Sequence, residues 1–229
     1  MEAIRGKKLE RYKERLKLSK IQKALIIGSI LGDGNLRIPG RNREANFIVD
    51  HGVEQKDYVF WKYKIMKEWV LTLPRRVIRI YHRDRERKMI SWRFLTISHP
   101  EFTKFYRMFY AEEKRIVPKS IKKLLSDPIS VAVWVMDDGT KSGESFFLST
   151  QSFTQKEQER LIECLKENFG IEGKVNIHSY WRDKTFYRIR IKSASLERLY
   201  KLIEPYVLPQ FRYKFSVYPC NDLLLKKSG

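Results

Sequence analysis

The sequence predicts an α+β fold built from two pseudosymmetric αββαββα repeats, with two antiparallel sheets and a central interface between two helices. Segments with helical and strand-like patterns follow the same order twice along the 229 residues. An apolar helix ending in Asp-Gly occurs in each copy, at Asp33-Gly34 and Asp138-Gly139. An internal repeat this long indicates two fused copies of one unit. We predict repeats over residues 1–122 and 123–229, packed tightly because no Gly/Ser/Pro-rich linker joins them.

The first copy begins with a basic segment, residues 1–23, that holds nine Lys and Arg residues and three glutamates. Leu9, Tyr12 and Leu16 recur at helical spacing, which predicts a short amphipathic helix; a solvated arm is the equal alternative. Apolar periodicity and alternation then predict a helix, a hairpin, a helix, two strands around a charged turn, and a helix. These segments are Ile21–Gly34, the hairpin from Arg37 to Val49, Tyr58–Val70, Val77–Ile97 and Glu101–Tyr110.

The second copy repeats this order after the short joining stretch. Its predicted elements are the apolar helix 131–138, a strand 146–150, the helix 155–169, two strands within 175–192 and the helix 196–206. The helix 155–169 is the best patterned, with Leu161, Ile162 and Leu165 on one face.

Composition limits the function to a few classes. The net charge is +20, with 42% hydrophobic residues, which is too apolar for a disordered basic tail. A polyanion is the expected partner of such a charge, and a merely basic protein is the weaker alternative. We expect no membrane contact, because no run of about 18 apolar residues occurs. Two cysteines and no secretory signal predict an intracellular protein, in a bacterial or archaeal cytoplasm or an organelle.

The paired Asp-Gly ends carry the chemical signal. A single Asp-Gly after an apolar helix is usually only a turn, but two matching instances in a basic repeat protein favour a shared site. If the two helices pack side by side, Asp33 and Asp138 meet near the pseudo-two-fold axis. Gly28 and Gly32, four residues apart, provide one helix face that permits close packing. Two neighbouring carboxylates tolerate ionisation when they share divalent metal, as in two-metal phosphodiester cleavage.

The first apolar helix reads IIGSILGDG at 26–34, the second reads VAVWVMDDG at 131–139, with its continuation to Thr154, and the segment LPQFRYK stands at 208–214. These segments resemble the signature helices and the adjoining segments of single-chain LAGLIDADG homing endonucleases. The similarity covers the chain from about Ile21 to Phe215. The resemblance implies a monomer that cuts both strands of a long asymmetric DNA site across the minor groove and leaves short 3′ overhangs. It also implies a requirement for two or three divalent ions, Mg²⁺ in the first place, with Mn²⁺ as a substitute.

Site residues follow from the same resemblance. The predicted metal site has Asp33 and Asp138 as ligands, with the adjacent Gly32 and with Asp137 as support. Lys214 matches a basic position that polarises water or stabilises charge at the scissile phosphate. In the first copy that position falls on Arg115, with Lys114 beside it. Since arginine stays charged and serves poorly as a base, the first-copy site is expected to depend on Lys114 or to cut more slowly.

The strands are expected to bind DNA. Arg188, Arg190 and Lys192 alternate with Ile189 and Ile191, which places the cations on one face of a sheet. Such a face fits the major groove, where Arg and Lys contact guanine and phosphate. Gln151, on a predicted strand beside the site, is suited to adenine. The predicted DNA-binding residues are Arg37, Arg41, Arg43, Arg79, Arg83, Gln151, Arg182, Lys184, Arg188, Arg190 and Lys192.

Two other functions stay open at this point. A maturase that binds intron RNA and assists splicing would use the same basic surface. A non-catalytic DNA-binding regulator would also keep the fold. Retention of both acids favours the nuclease over either.

Overall fold

A computed structural model describes residues 6–40, 43–81 and 87–215 of the chain. The helices are α1 Lys7–Glu14, α2 Lys20–Leu31, α3 Lys56–Met66, α4 Pro100–Phe109, α5 Ile121–Leu124, α6 Pro128–Asp138, α7 Gln155–Phe169 and α8 Leu196–Ile203. The strands are β1 Asn35–Arg37, β2 Asn46–Gly52, β3 Arg75–Tyr81, β4 Arg87–Leu95, β5 Tyr110–Ala111, β6 Lys114–Arg115, β7 Gly139–Ser142, β8 Ser145–Leu148, β9 Gly173–Trp181 and β10 Lys184–Ile191. Among the described helices, none is long and apolar enough to cross a membrane.

The predicted duplication is confirmed by the two four-stranded sheets. Both are antiparallel, and their strand orders, β1-β2-β4-β3 and β7-β8-β10-β9, correspond position by position. Along the chain, one helix precedes the strands of each sheet, one lies between the two strand pairs and one follows them. The α+β fold with two αββαββα repeats is therefore the observed architecture, and α1, α5 and the β5–β6 hairpin are additions to it.

One face of each sheet is buried and the other is open. In the first sheet Phe47, Val49 and Phe94 are at most 3% exposed, and α3 and α4 pack on their side. In the second sheet Ile189 and Ile191 are buried in the same way. Because side chains alternate along a strand, the residues between these positions project from the opposite face, which is called the open face although Ile48 on it is only 5% exposed.

The basic N-terminal segment contains a helix, α1, which packs against the body of the protein. Leu9, Tyr12 and Leu16 contact the core, and the Tyr12 hydroxyl donates to the Glu68 carbonyl oxygen at 2.6 Å. The helix alternative is therefore the correct one for the described part of this segment.

Helices α2 and α6 form the central interface. A capping box of Ser19 and Gln22 begins α2, and the Asp127 side chain caps α6. The two helices approach closely at glycines: a Cβ on Gly28 would lie 2.3 Å from the Ser130 carbonyl oxygen, and one on Gly32 would lie 2.5 Å from Asp137 Cβ. The absence of side chains at these positions therefore allows the two C-terminal helix ends to lie side by side.

Some sequence predictions need correction. Strand β8 ends at Leu148, so Gln151 lies in a turn and not on a strand. The sequence analysis did not predict the short β5–β6 hairpin, which carries Arg115. Arg41 and Arg83 lie outside the described residues, and Arg43 lies in an exposed bend before β2.

Candidate active site and nucleic-acid interface

The two acids of the Asp-Gly pairs lie at the meeting point of the central helices. Asp33 follows the C-terminus of α2, and Asp138 is the last residue of α6. The Asp33 side chain is 50% exposed, and the backbone N–H of Asp33 donates to Asp137 Oδ2 at 3.2 Å. This hydrogen bond, between residues 104 positions apart in the chain, brings the end of α2 against the residue that precedes Asp138.

Burial, together with repulsion among the carboxylates, disfavours the ionised forms of both acids. Burial, followed by the charges of Asp33 and Asp137, raises the pKa of Asp138 to about 8. Burial and the Asp137 charge also raise the pKa of Asp33. A site that penalises its own carboxylates in this way is suited to a bound cation, which would favour their ionised forms. The residue types of Asp33 and Asp138 suit a divalent ion, since hard cations prefer carboxylate oxygens.

A basic side chain reaches the C-terminal end of each central helix. The Arg115 guanidinium donates to the carbonyl oxygens of Ile30, at 3.1 Å, and of Gly32. The Lys214 ammonium donates to the carbonyl oxygens of Val135 and Met136, at 3.2 and 2.8 Å. Arg115 and Lys214 therefore occupy corresponding places, whereas Lys114 is exposed on the hairpin.

Lys214 differs from Arg115 in burial. Only 7% of Lys214 is exposed, and burial lowers the pKa of its ammonium, although Asp137, Asp138 and Asp33 act in the opposite direction. A cleft of about 520 Å³ opens beside Asp138 and Lys214 and is also lined by Gln55 and Ser149. The second acid is thus placed where a solvent cavity meets a buried cation.

A buried ion pair lies behind the acids, and the sequence analysis did not find it. The Lys62 ammonium lies 3.0 and 3.1 Å from the two carboxylate oxygens of Asp137, and both side chains are 0% exposed. His51 Nε2 is 3.2 Å from Lys62 Nζ, and His51 Nδ1 is 3.8 Å from Asp33 Oδ2. Burial and the neighbouring Lys62 lower the pKa of His51 to about 4, so the imidazole is neutral at pH 7.

A sequence signal for this pair does exist. Tyr58, Lys62 and Met66 are spaced by four, so the lysine lies on the apolar stripe of α3. A lysine on a buried helix face needs a buried acid as its partner. That rule does not identify Asp137, which is 75 residues away along the chain.

The open face of the first sheet carries cations arranged around one acid. Arg79 donates to the carboxylate of Asp50 and to Ser91 Oγ, the latter at 3.1 Å. Arg93 Nε lies 3.8 Å from the same carboxylate. Arg37, on the edge strand β1, is exposed on this sheet. Asp50 thus holds two arginines in the middle of a surface that is otherwise basic.

The second sheet holds its arginine in another way. The Arg188 guanidinium lies over the Phe147 ring, 3.6 Å from the centroid, and Arg190 is paired directly with Phe147 across the strands. Lys192 forms an ion pair with Glu172 at 2.6 Å, while Arg182 lies over the Trp181 ring in the β9–β10 turn. Lys184 is exposed near that turn. The predicted cations therefore lie on or beside this sheet.

Comparison with known proteins identifies a family and several relatives. The model of the LAGLIDADG DNA endonuclease family matches residues 23–199. Probable intron-encoded endonuclease 1 of Wickerhamomyces canadensis is 30% identical over 204 residues, which cover 86% of this chain and 84% of that protein. DNA endonuclease I-ChuI of Chlamydomonas applanata is 29% identical, over 88% of this chain and 97% of its own length. Cytochrome b mRNA maturase bI2 of Debaryomyces hansenii is 26% identical, over 88% and 76%.

A solved structure of a homing endonuclease has the same fold as this chain. The homing endonuclease I-WcaI bound to its DNA recognition sequence superposes with a TM-score of 0.80. It is 28% identical to this chain, and the match covers 91% of this chain and 92% of that one.

Proposed function

Because this chain belongs to the LAGLIDADG DNA endonuclease family, we propose that it is a site-specific endonuclease that cuts both strands of a long asymmetric DNA target as a monomer. The observation that carries the proposal is the pair of acid-tipped helices, each with a cation at its last carbonyl groups. Two basic sheets flank this site, and a net charge of +20 suits a DNA partner. Residues 1–122 and 123–229 would each bind one part of the target.

Asp33 and Asp138 would hold divalent ions, Mg²⁺ or Mn²⁺, with Gly32 beside them. When bound, such ions stabilise the charge that develops on the attacking and leaving oxygens of a phosphodiester. The chain itself supplies two more positive groups, Lys214 and Arg115, which are anchored on helix carbonyl groups and would lie near the scissile phosphates. Anchoring leaves these cations little freedom, so they need little reorganisation when charge develops.

DNA contacts would come from the open sheet faces. Cations there would neutralise phosphates, and Arg79, Arg93, Arg188 and Arg190 would contact guanine edges in the major groove. Gln151, in the turn after β8, would contact an adenine. The cleavage products would have short 3′ overhangs, and the location would be intracellular, in a cytoplasm or an organelle.

A cleavage selection tests the activity. Purified protein is incubated with a randomised duplex library in Mg²⁺, or in Ca²⁺ as a parallel, and the ends produced are sequenced. One recurring long site with short 3′ overhangs, found in Mg²⁺, is the expected result. No recurring ends from protein that still binds duplex DNA would contradict the proposal.

Two matched variants test the metal assignment. Asp33→Asn and Asp138→Asn should each abolish double-strand cleavage of the selected site while leaving duplex binding intact, because each removes one carboxylate charge at the cluster. Asp57→Asn, an exposed acid on α3, is the control. Cleavage at the wild-type rate by either cluster variant would refute the assignment.

A maturase is the second candidate, because one of the relatives above is named as a cytochrome b mRNA maturase. The N-terminal end of α2, which carries Lys20 and Lys23, is the end remote from the acids, and α1 adds further basic residues that an RNA could contact. Tight, selective binding to intron RNA without DNA cleavage would favour this function. The comparison of RNA binding by wild type and by Asp138→Asn would separate the two activities.

A further inference from the structure

The two halves differ at the residue before the acid. In the first half this residue is Gly32, and in the second half it is Asp137, a third carboxylate within the cluster. Asp137 is in contact with the first half, because its Oδ2 accepts the Asp33 N–H at 3.2 Å. The inference below rests on the proposed role of Asp33 and Asp138 in holding metal.

A third carboxylate competes with Asp138 for a metal ion bound at this site. Asp33, His51 and Asp137 present oxygen and nitrogen atoms that all lie within 4.8 Å of one another, a spacing that could hold a cation away from Asp138. A buried carboxylate without a partner is also strongly unfavourable. Asp137 therefore requires a positive charge beside it that belongs to a protein side chain and not to an ion taken up from solvent.

Lys62 meets that need. Its ammonium is 0% exposed and contacts both oxygens of Asp137, the His51 ring nitrogen at 3.2 Å and the face of Tyr58, with 4.3 Å to the ring centroid. These neighbours surround the ammonium with acceptors, as ligands surround a metal ion. Lys62 comes from α3 of the first half and reaches an acid of the second half, across the central interface.

We propose that Lys62 is a positioning residue that acts as a built-in cation: it neutralises Asp137, keeps divalent ions out of the Asp33–His51–Asp137 space, and leaves Asp33 and Asp138 as the ligands. Asp137, held in this way, fixes the backbone of Asp33 through its hydrogen bond. The pair is thus a tether between the halves at the metal site.

The proposal predicts effects of opposite sign from the two partners. Lys62→Met frees the charge of Asp137, so Mn²⁺ should bind about tenfold more tightly or at an additional site, because an unpaired anion attracts the ion. Asp137→Asn leaves the Lys62 charge beside Asp33 and Asp138, so Mn²⁺ should bind about tenfold more weakly. The double variant should return to within about threefold of wild type. A purely structural pair would shift Mn²⁺ affinity in the same direction in both single variants.

The experiment measures Mn²⁺ binding to the full chain at pH 8 by electron paramagnetic resonance of the free ion. Lys64→Met, an exposed lysine on the same helix, and Asp57→Asn are the matched controls. Far-ultraviolet circular dichroism checks each fold. If Lys62→Met does not fold, Asp137→Asn against the double variant decides: weakened binding that the second substitution restores supports the proposal, and failure to restore it overturns the proposal.

Each of the remaining outcomes overturns a different proposal. Shifts of the same sign, or none, in the two single variants overturn the role of Lys62 alone. Mn²⁺ binding that is the same in wild type and Asp33→Asn overturns the metal site and the inference with it. Opposite shifts in a protein that cuts no library duplex support the inference and overturn the proposed endonuclease.

Discussion

The two halves of this protein share a fold but differ in the charged residues at the C-terminal ends of their central helices. In the first half the central helix ends in Gly32-Asp33 with Arg115 on its carbonyl groups, and in the second half it ends in Asp137-Asp138 with the buried Lys214. The second acid is the more strongly perturbed, with its pKa raised to about 8. A duplicated frame can therefore keep the geometry of a site while each copy changes its electrostatics.

The sheets show the same divergence. The first sheet holds Arg79 and Arg93 with the carboxylate of Asp50, whereas the second holds Arg188 on the ring of Phe147. A carboxylate orients a guanidinium by charge and hydrogen bonds, and a ring orients it by its face. The carboxylate of Asp50 therefore lowers the net positive charge around Arg79 and Arg93, whereas the ring of Phe147 adds no negative charge beside Arg188.

The largest expected effect separates the two basic positions. Lys214→Met and Arg115→Met should each slow cleavage of one strand by about 10²–10³, the loss typical of an oriented positive donor. Each variant should then accumulate nicked DNA, and the two nicks should lie on opposite strands. Lys114→Met, which changes an exposed lysine, should stay within about threefold of wild type. Strand-specific end labels on the selected target provide the measurement.

Nicks on the same strand from both variants would break the equivalence of the halves. A larger loss from Lys114→Met than from Arg115→Met would restore Lys114 as the working cation of the first half.

Substitutions on the two helices of the central interface should destabilise the protein for different reasons. Gly28→Ala places a Cβ 2.3 Å from a backbone oxygen, so the free energy of unfolding should fall by about 1–3 kcal/mol, the usual cost of overpacking. In the same interface Ala132→Gly, on α6, is the control for added backbone freedom and should cost about 1 kcal/mol. Urea titration followed by circular dichroism measures both. A stabilised Gly28→Ala variant would contradict the observed closeness of α2 and α6.

The pH dependence of stability should distinguish the acids. Since the pKa of Asp138 is about 8 in the folded protein and near 3.8 when unfolded, the folded state binds the extra proton between these values. Stability of the metal-free protein should therefore fall as pH rises from about 4 to 8, by up to about 1.4 kcal/mol per pH unit from this group. Asp138→Asn should flatten that decline. Unfolding free energies at several pH values, with a chelator present, provide the measurement.

Asp33→Asn should flatten the same profile less, because its side chain is half exposed. Equal slopes in wild type and Asp138→Asn would contradict the proposed burial of charge in the second half.

The smallest effect concerns the two sheets. Asp50→Asn frees Arg79 and Arg93 and adds one net positive charge, so binding to scrambled duplex should tighten about threefold and its salt slope should steepen by about 0.9. Phe147→Leu removes the ring under Arg188, and target binding should weaken about threefold to tenfold. Fluorescence anisotropy with target and scrambled duplexes at two salt concentrations measures both. Equal changes on the two duplexes for Phe147→Leu would mean that the ring does not serve recognition.

Much of the fold was predictable because its signals are local. Alternating Ile189 and Ile191 marked a sheet face, the Asp-Gly ends marked both central helices, and the glycines Gly28 and Gly32 marked their interface. The β8 boundary was wrong at Gln151, since a strand of four residues carries too little pattern to mark its end. The resemblance in the signature helices extended these signals to Asp33, Asp138, Lys214 and Arg115, whose roles stay predictions.

The sequence by itself determined the repeat, the basic charge and the acids at the helix ends, because periodicity, composition and turn residues act over a few neighbouring positions. Only the tertiary structure decided that Lys62 pairs with Asp137 and Asp50 with Arg79, 75 and 29 residues apart. Burial makes these pairs necessary, since a charge withdrawn from water needs a partner. Which partner it finds depends on how sheets and helices pack, and that is a property of the whole chain.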